Sequence, residues 1–328
     1  MKIRGAVCAL LLVSLGAAAV FIPGRAQETS VSGRRPSNGA PPANPLKVAL
    51  LKWYPANQTT SFDVGNLPGG VAFDGENIWV ANTGSDTVSK LRASDGANQG
   101  TFNLYTGAEP LGVAFDGANI WIANSGGNDV TKLRATDGTK LGDFTVGKLP
   151  YFLAFDGENI WTANHGDGTV SKLRASDGKT LGTFPVQAAI GVAFDGKNIW
   201  VTDYLGFVYK LRTSDGKILG SFKTGGGSVG VAFDGANIWV ANYQGGTVSK
   251  LRAKDGANQG TFNYGGSPRG IAFDGSYIWV AADSVDQVRP SDGALVGRFQ
   301  THGPQPIGVA FDGANIWVTN GTHFVNKM

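Results

Sequence analysis

The sequence predicts an all-β fold: a seven-bladed β-propeller of four-stranded antiparallel blades, its ring closed by an N-terminal strand that completes the last blade. Three observations lead there. One phrase occurs seven times, first as VAFDGENIWVAN (71–82) and last as VAFDGANIWVTN (309–320). Its tryptophans, Trp79, Trp121, Trp161, Trp200, Trp239, Trp279 and Trp317, follow one another at steps of 38 to 42 residues. The last copy stops at Met328, where the third strand of a repeat begins in the other copies. A period near 40, built from short β-rich pieces and turn signals, belongs to propellers; leucine-rich solenoids have shorter repeats with leucines at fixed offsets.

In chain order, residues 1–26 read as a secretory signal peptide. Lys2 and Arg4 precede an apolar run from Ala6 to Ile22, and small residues lead to a cleavage position after Ala26. The run is short for a membrane span. A secreted, periplasmic or cell-surface location is expected, with no membrane span in the mature form. Cys8, the only cysteine, lies in this segment, so the mature chain must be held by core burial without disulfides. Residues 27–45, QETSVSGRRPSNGAPPANP, are rich in Pro, Ser, Gly and Asn and read as a flexible tether. The propeller takes 46–328.

Residues 70–107 show how one repeat is built. Gly70 to Phe73 is a first strand, and Asp74-Gly75 supplies a turn, a pair suited to tight hairpins because it tolerates positive φ. Ile78 to Ala81 is the second strand, and Asn82 to Asp86 a glycine-containing loop. Thr87 to Ala93 is the third strand, ended by Ser94-Asp95-Gly96, and Gln99 to Asn103 is the fourth. The Phe of each AFDG and the Trp are expected between adjacent sheets, where burying one such ring contributes roughly 1.5–3 kcal/mol. Thr59 to Val64 resembles Leu181 to Val186 and is expected to supply the missing outer strand of the last blade, with Val48 to Trp53 adding to that edge.

The chain has 28 Lys and Arg against 25 Asp and Glu. Removal of Lys2, Arg4 and Arg25 leaves the mature chain near neutral. No basic run survives in the repeats, so nucleic acid is not an expected partner. The recurring Lys-Leu-Arg of strand three (Lys90 and Arg92 in the first copy) is read as outer-surface charge on buried stems, offset by aspartates such as Asp95. A monomer is expected.

The repeat PLGVAFDGANIWIANSGGNDVTKLRATDGTKLGDFTVG (110–147) resembles the YVTN family of bacterial and archaeal propeller repeats. Shared are the Pro-x-Gly-Val-Ala start, the strand ending Ala-Asn and the Ser/Gly-rich loop. The chain departs where Phe-Asp-Gly replaces Ser-Pro-Asp-Gly and Ile-Trp replaces Val-Tyr. This resemblance implies a secreted or surface propeller. The chain is also distantly similar to streptogramin-lyase-type propellers, which implies a metal-assisted ring-opening elimination by histidines and a glutamate. The Trp-Phe-Thr-Glu strand of those enzymes is replaced by Ile-Trp-Val-Ala-Asn, so no catalytic residue is carried over.

Whatever recurs in every copy is read as structural, and whatever occurs once is a candidate for function. The Asp-Gly turns share one face and hardly vary. The loops after strand two and the links between blades share the other, and there the copies differ. The residue before the glycine of each innermost strand is Gly69, Leu111, Tyr151, Ile190, Val229, Arg269 or Ile307, so Tyr151 and Arg269 break an aliphatic pattern; Phe152 replaces the glycine itself. An arginine beside a channel mouth suits a carboxylate or phosphate. In the loop after strand two, His165, Tyr204, Tyr243 and Asp283 stand where other copies have Thr83, Ser125 and Gly321. Asp203 replaces an asparagine expected to cap the loop through backbone amides. Glu109, in a link, is the one glutamate outside the tether and the repeated turns, and His302 lies near the closing blade. The histidines lack close ligand spacing; no metal or other cofactor is expected, and no nucleophile motif, phosphate loop or cofactor fingerprint appears. The expectation is an exported binding scaffold for a protein, glycan or small molecule, more in keeping with the sequence than an enzyme at the same mouth or a structural surface module.

Overall fold

The computed structural model describes residues 60–328. The signal segment, the tether and the strand expected at Val48 to Trp53 lie outside the described residues. Seven four-stranded antiparallel sheets follow one another around the ring. Blade 1 consists of Pro68–Phe73, Asn77–Asn82, Thr87–Arg92 and Asn98–Asn103; blades 2 to 7 open at Pro110, Pro150, Ala189, Ser228, Ile271 and Pro306. The one helical piece among the described residues is a 3-10 turn at Thr83–Ser85.

The ring closes as the incomplete last copy requires. Thr60–Asp63 pairs antiparallel with Phe324–Lys327, forming the outer edge of blade 7. The Phe62 ring lies 5.5 Å from Trp317, as Phe102 lies 5.4 Å from Trp79 within blade 1.

The first strand of blade 1 carries a bulge between Pro68 and Val71. Near this bulge, backbone meets backbone: a Cβ at Gly70 would strike the carbonyl oxygen of Leu111, and one at Gly230 that of Arg269. Glycine recurs here because neighbouring innermost strands approach too closely for a side chain. Blade 3 is the exception, with Phe152 in place of glycine and buried.

Between blades 1 and 2, Trp79, Ala72, Ala81 and Val88 pack on Val113, Ile120, Ile122 and Leu133. The tryptophan therefore fills the space between sheets. Its Nε1 donates to the Asp74 carboxylate at 2.7 Å, which also accepts from the backbone amides of Glu76 and Asn77. The tryptophan of each of the seven blades makes this bond. The Asp-Gly face is thus built by a polar network that the repeat copies into every blade.

The lysines of strand three correct the expectation of surface charge. Lys90 is 7% exposed, and its ammonium donates to the carbonyls of Ala135 at 2.7 Å and Thr136 at 3.0 Å in blade 2. The same Nζ sits 5.1 Å from the centre of the Trp79 ring. Lys132, Lys172, Lys210, Lys250 and Lys327 repeat both contacts. The charge leaves water because a pair of carbonyls or a single one, together with an aromatic face, replaces much of its hydration. The arginines do stay outside, Arg92 pairing with Asp95 at 2.9 Å.

Candidate functional site on the rim of blades 3 to 6

The loops after strand two are tied to the links that lead into their blades. The backbone amides of Ser125, His165, Tyr204 and Tyr243 donate to the carbonyls of Glu109, Leu149, Ala188 and Gly227. Glu109, Leu149 and Ala188 adopt φ of 48°, 49° and 51°, which turns the link under the loop. Each loop's second residue is thereby held at one place on the rim, and the side chain there is free to vary between copies.

In blades 3 and 4 these positions bring three rings together. Tyr151 and His165 stack with centroids 4.9 Å apart and planes 11° apart. His165 meets Tyr204 edge-on, at 6.5 Å and 88°. Phe152 supports the group from beneath, 6.5 Å from Tyr151. In blade 5 the Tyr243 ring carries the Arg269 guanidinium, which enters from blade 6 and lies 5.2 Å from the ring centre. Tyr151, Tyr204 and Tyr243 all rest, partly exposed, on one buried apolar cluster that includes Phe152, Ile190 and Val229. The result is an arc of aromatic surface across blades 3, 4 and 5 with a cation at the blade 6 end. Leu205, 57% exposed on the Tyr204 loop, extends the apolar surface; its signal in the sequence was a leucine where most other copies have a small or polar residue.

Burial raises the Tyr151 hydroxyl above its ordinary pKa, and the nearby Glu109 carboxylate adds to the rise. Glu109 itself is exposed, so the blade 2 end of the arc is acidic and the blade 6 end basic. Nδ1 of His165 and Nε of Arg269 are both buried without a hydrogen-bond partner. Such orphaned donors or acceptors are uncommon and each calls for an explanation.

The remaining candidates fall away from this arc. Asp203 is fully buried; its Oδ1 accepts from the amide of Phe207 at 2.8 Å. Burial dominates and raises its carboxyl, against a smaller opposing effect of the Phe207 amide and the Tyr209 hydroxyl. The asparagines it replaces do not cap in the expected way. Asn82 donates to the Thr87 and Ser89 hydroxyls in strand three, while Asn320 does accept from the Thr322 amide. Asp283 is exposed beside Gly266 and acts on Arg298. His302 is exposed in the link between blades 6 and 7, held by its backbone to Asn326.

Two shallow depressions of about 510 and 330 Å³ open on the opposite face, at the seams of blades 2 and 3 and of blades 7 and 1. Their walls are the same repeated positions, Asp116, Glu158 and Arg174 in one and Asp312, Glu76 and Arg92 in the other. They are products of the repeat rather than a singular site. No group of three or more His, Cys, Asp or Glu gathers among the described residues to hold a metal ion. No metal-dependent step is assigned to the described residues.

The chain is similar in structure to a streptogramin B lyase, at 16% identity and a TM-score of 0.72, over 83% of this chain and 97% of that one. It is similar also to virginiamycin B lyase from Staphylococcus aureus, at 17% identity and a TM-score of 0.70, over 82% and 98%. A catalytically inactive variant of the latter, with quinupristin, matches at 17% identity and a TM-score of 0.71 over the same shares. No protein-family model and no curated protein matches the chain. At such identities the likeness establishes the seven-bladed propeller and nothing finer.

Proposed function

We propose that this chain is an exported, monomeric binding propeller that takes a ring-bearing ligand on the arc Tyr151–His165–Tyr204 and Tyr243. The ligand is an aromatic group or a sugar, free or carried on a peptide or glycan. The observation that carries the reading is the convergence of three singular side chains, from two blades, into one partly exposed cluster, one pair stacked and the other edge-on. Flat rings of this kind offer broad apolar contact with little loss of side-chain freedom. The apolar run at Ala6 to Ile22 supports export.

Saturation-transfer NMR with N-acetyltyrosine amide and a series of methyl glycosides tests it. Transfer to ring protons of at least one probe is expected, weakened about threefold to tenfold in Tyr204→Ala and in His165→Ala. The reading is wrong if no probe shows transfer, or if both variants bind as the wild type does.

A lyase is the second reading, favoured by the fold shared with streptogramin B lyases. Incubation with quinupristin separates the two: the binding reading expects an intact ring by chromatography and tandem mass spectrometry, and the lyase reading an opened one.

A further inference from the structure

Eight arginines lie among residues 60–328, and seven of them pair with an aspartate. Six of those pairs are exposed turn contacts at i, i+3, and the seventh joins Arg298 to the buried Asp286 at 2.8 Å. Arg269 is the exception. No carboxylate among the described residues forms an ion pair with it, its Nε is buried without a hydrogen-bond partner, and it is held on the face of Tyr243. Its position is otherwise occupied by glycine, aliphatic residues or Tyr151.

The stem is tied down at its base. The Arg269 amide donates to the Ala281 carbonyl at 2.8 Å, and its own carbonyl packs against Gly230. The guanidinium is therefore placed, partly desolvated and stacked, with donors left over. A planar cation in that state matches a planar or tetrahedral oxyanion, which accepts two of its N–H groups at once.

We infer that Arg269 is the seat for an oxyanion, a carboxylate or a phosphate, borne by the ring-containing ligand that the aromatic arc takes. The inference rests on the arc being a binding surface, and it adds the charge of the ligand. Ring and anion belong to one molecule because Tyr243 serves both: it shares the apolar cluster beneath Tyr151 and Tyr204, and it carries the guanidinium. Glu109, at the other end of the arc, disfavours an anion there and so fixes the ligand's direction.

The test uses the full chain and probes differing in a single charge. N-acetyltyrosine and N-acetyltyrosine amide present the same ring with and without a carboxylate, and phenyl phosphate presents the other oxyanion. Wild type is expected to bind at least one anionic probe about tenfold more tightly than the amide, as a charge-assisted pair commonly provides. Arg269→Gln should remove that preference and leave affinity for the amide unchanged. Arg252→Gln, which breaks an exposed pair on the outer surface, should keep it. Unchanged thermal melting of Arg269→Gln confirms that the fold is intact. Which anion binds more tightly identifies the oxyanion. Equal binding of amide and anions to wild type overturns the inference while the arc stands. A preference that survives Arg269→Gln overturns Arg269 as its seat. Failure of all three probes and of the glycosides overturns the arc together with the inference.

Discussion

At the level of single residues, two carboxylates near the rim behave differently for reasons the environment supplies. Asp203 is buried, and burial raises its carboxyl above the ordinary value. A group whose folded-state pKa is raised binds its proton more tightly in the folded chain than in the unfolded one. It favours folding below the unfolded value of about 3.9, and that contribution is lost as pH rises through the folded value. Asp203→Asn, the residue of most other blades, should therefore leave the melting temperature unchanged near pH 3 and raise it at pH 7. A melting temperature lower than wild type at pH 7 would show that the Asp203–Phe207 bond outweighs desolvation. Glu109 acts on a neighbour instead. Glu109→Gln should lower the Tyr151 phenol pKa without restoring the ordinary value, because burial is the larger cause; a titration followed by tyrosinate absorbance reads this. The sequence marked Tyr151, His165, Tyr204, Tyr243 and Arg269 by their singularity within a repeat. It gave no sign that Asp203 would answer to Tyr209, which stands where Ser171 and Ser249 stand in other blades. Nor did it show that Arg269 would lack an acid, since pairing depends on which side chains the ring brings within reach.

At the level of elements, the strand Thr60–Asp63 couples the two ends of the described chain. Phe62 does for blade 7 what the outer-strand phenylalanines do for the others. It packs at a tilt against Trp317 and occupies the space over Gly96 of blade 1, where a Cβ would collide with it. Gly138 receives Phe102 in the same way. Phe62→Ala should destabilise by roughly 2–4 kcal/mol, as measured by urea unfolding. Deletion of 46–64 should lower the melting temperature far more than deletion of 27–45, and equal melting curves for the two truncations would defeat the closure argument. This element was legible because a repeat leaves a visible remainder: a last copy without a fourth strand and an opening segment that resembles one. The lysine of strand three was legible only as to its stem. A strand pattern tells which face a side chain leaves from, and the carbonyls that receive the Lys90 ammonium belong to the turn of the next blade, 45 residues on.

Across the whole ring, the seams are not equal. Lysine joins six of them, from Lys90 between blades 1 and 2 to Lys327 between blades 7 and 1. Between blades 6 and 7 the position is Gln287, which pairs opposite Trp279 as lysine pairs opposite the other tryptophans. In blade 7 the outer strand, Thr60–Asp63, comes from the other end of the described chain. Blade 6 is itself the least regular, with strands of 3, 4, 4 and 5 residues against 6 in each strand of blade 4. Trp279 is 8% exposed, whereas the tryptophans of the other six blades are fully buried. In a ring whose stability is largely a sum over neighbouring blades, opening begins at the weakest contact. Native-state hydrogen exchange should therefore show the amides of Ile271–Phe273 and Ile278–Ala281 losing protection before those of Ala189–Phe194 and Asn198–Asp203. Lys210→Met should bring the seam between blades 4 and 5 toward the exchange rates of the seam between blades 6 and 7, because it removes the ammonium and keeps the stem. Uniform protection around the wild-type ring would mean that the tryptophan–aspartate network, present in every blade, carries the cooperativity and the lysines add little to it.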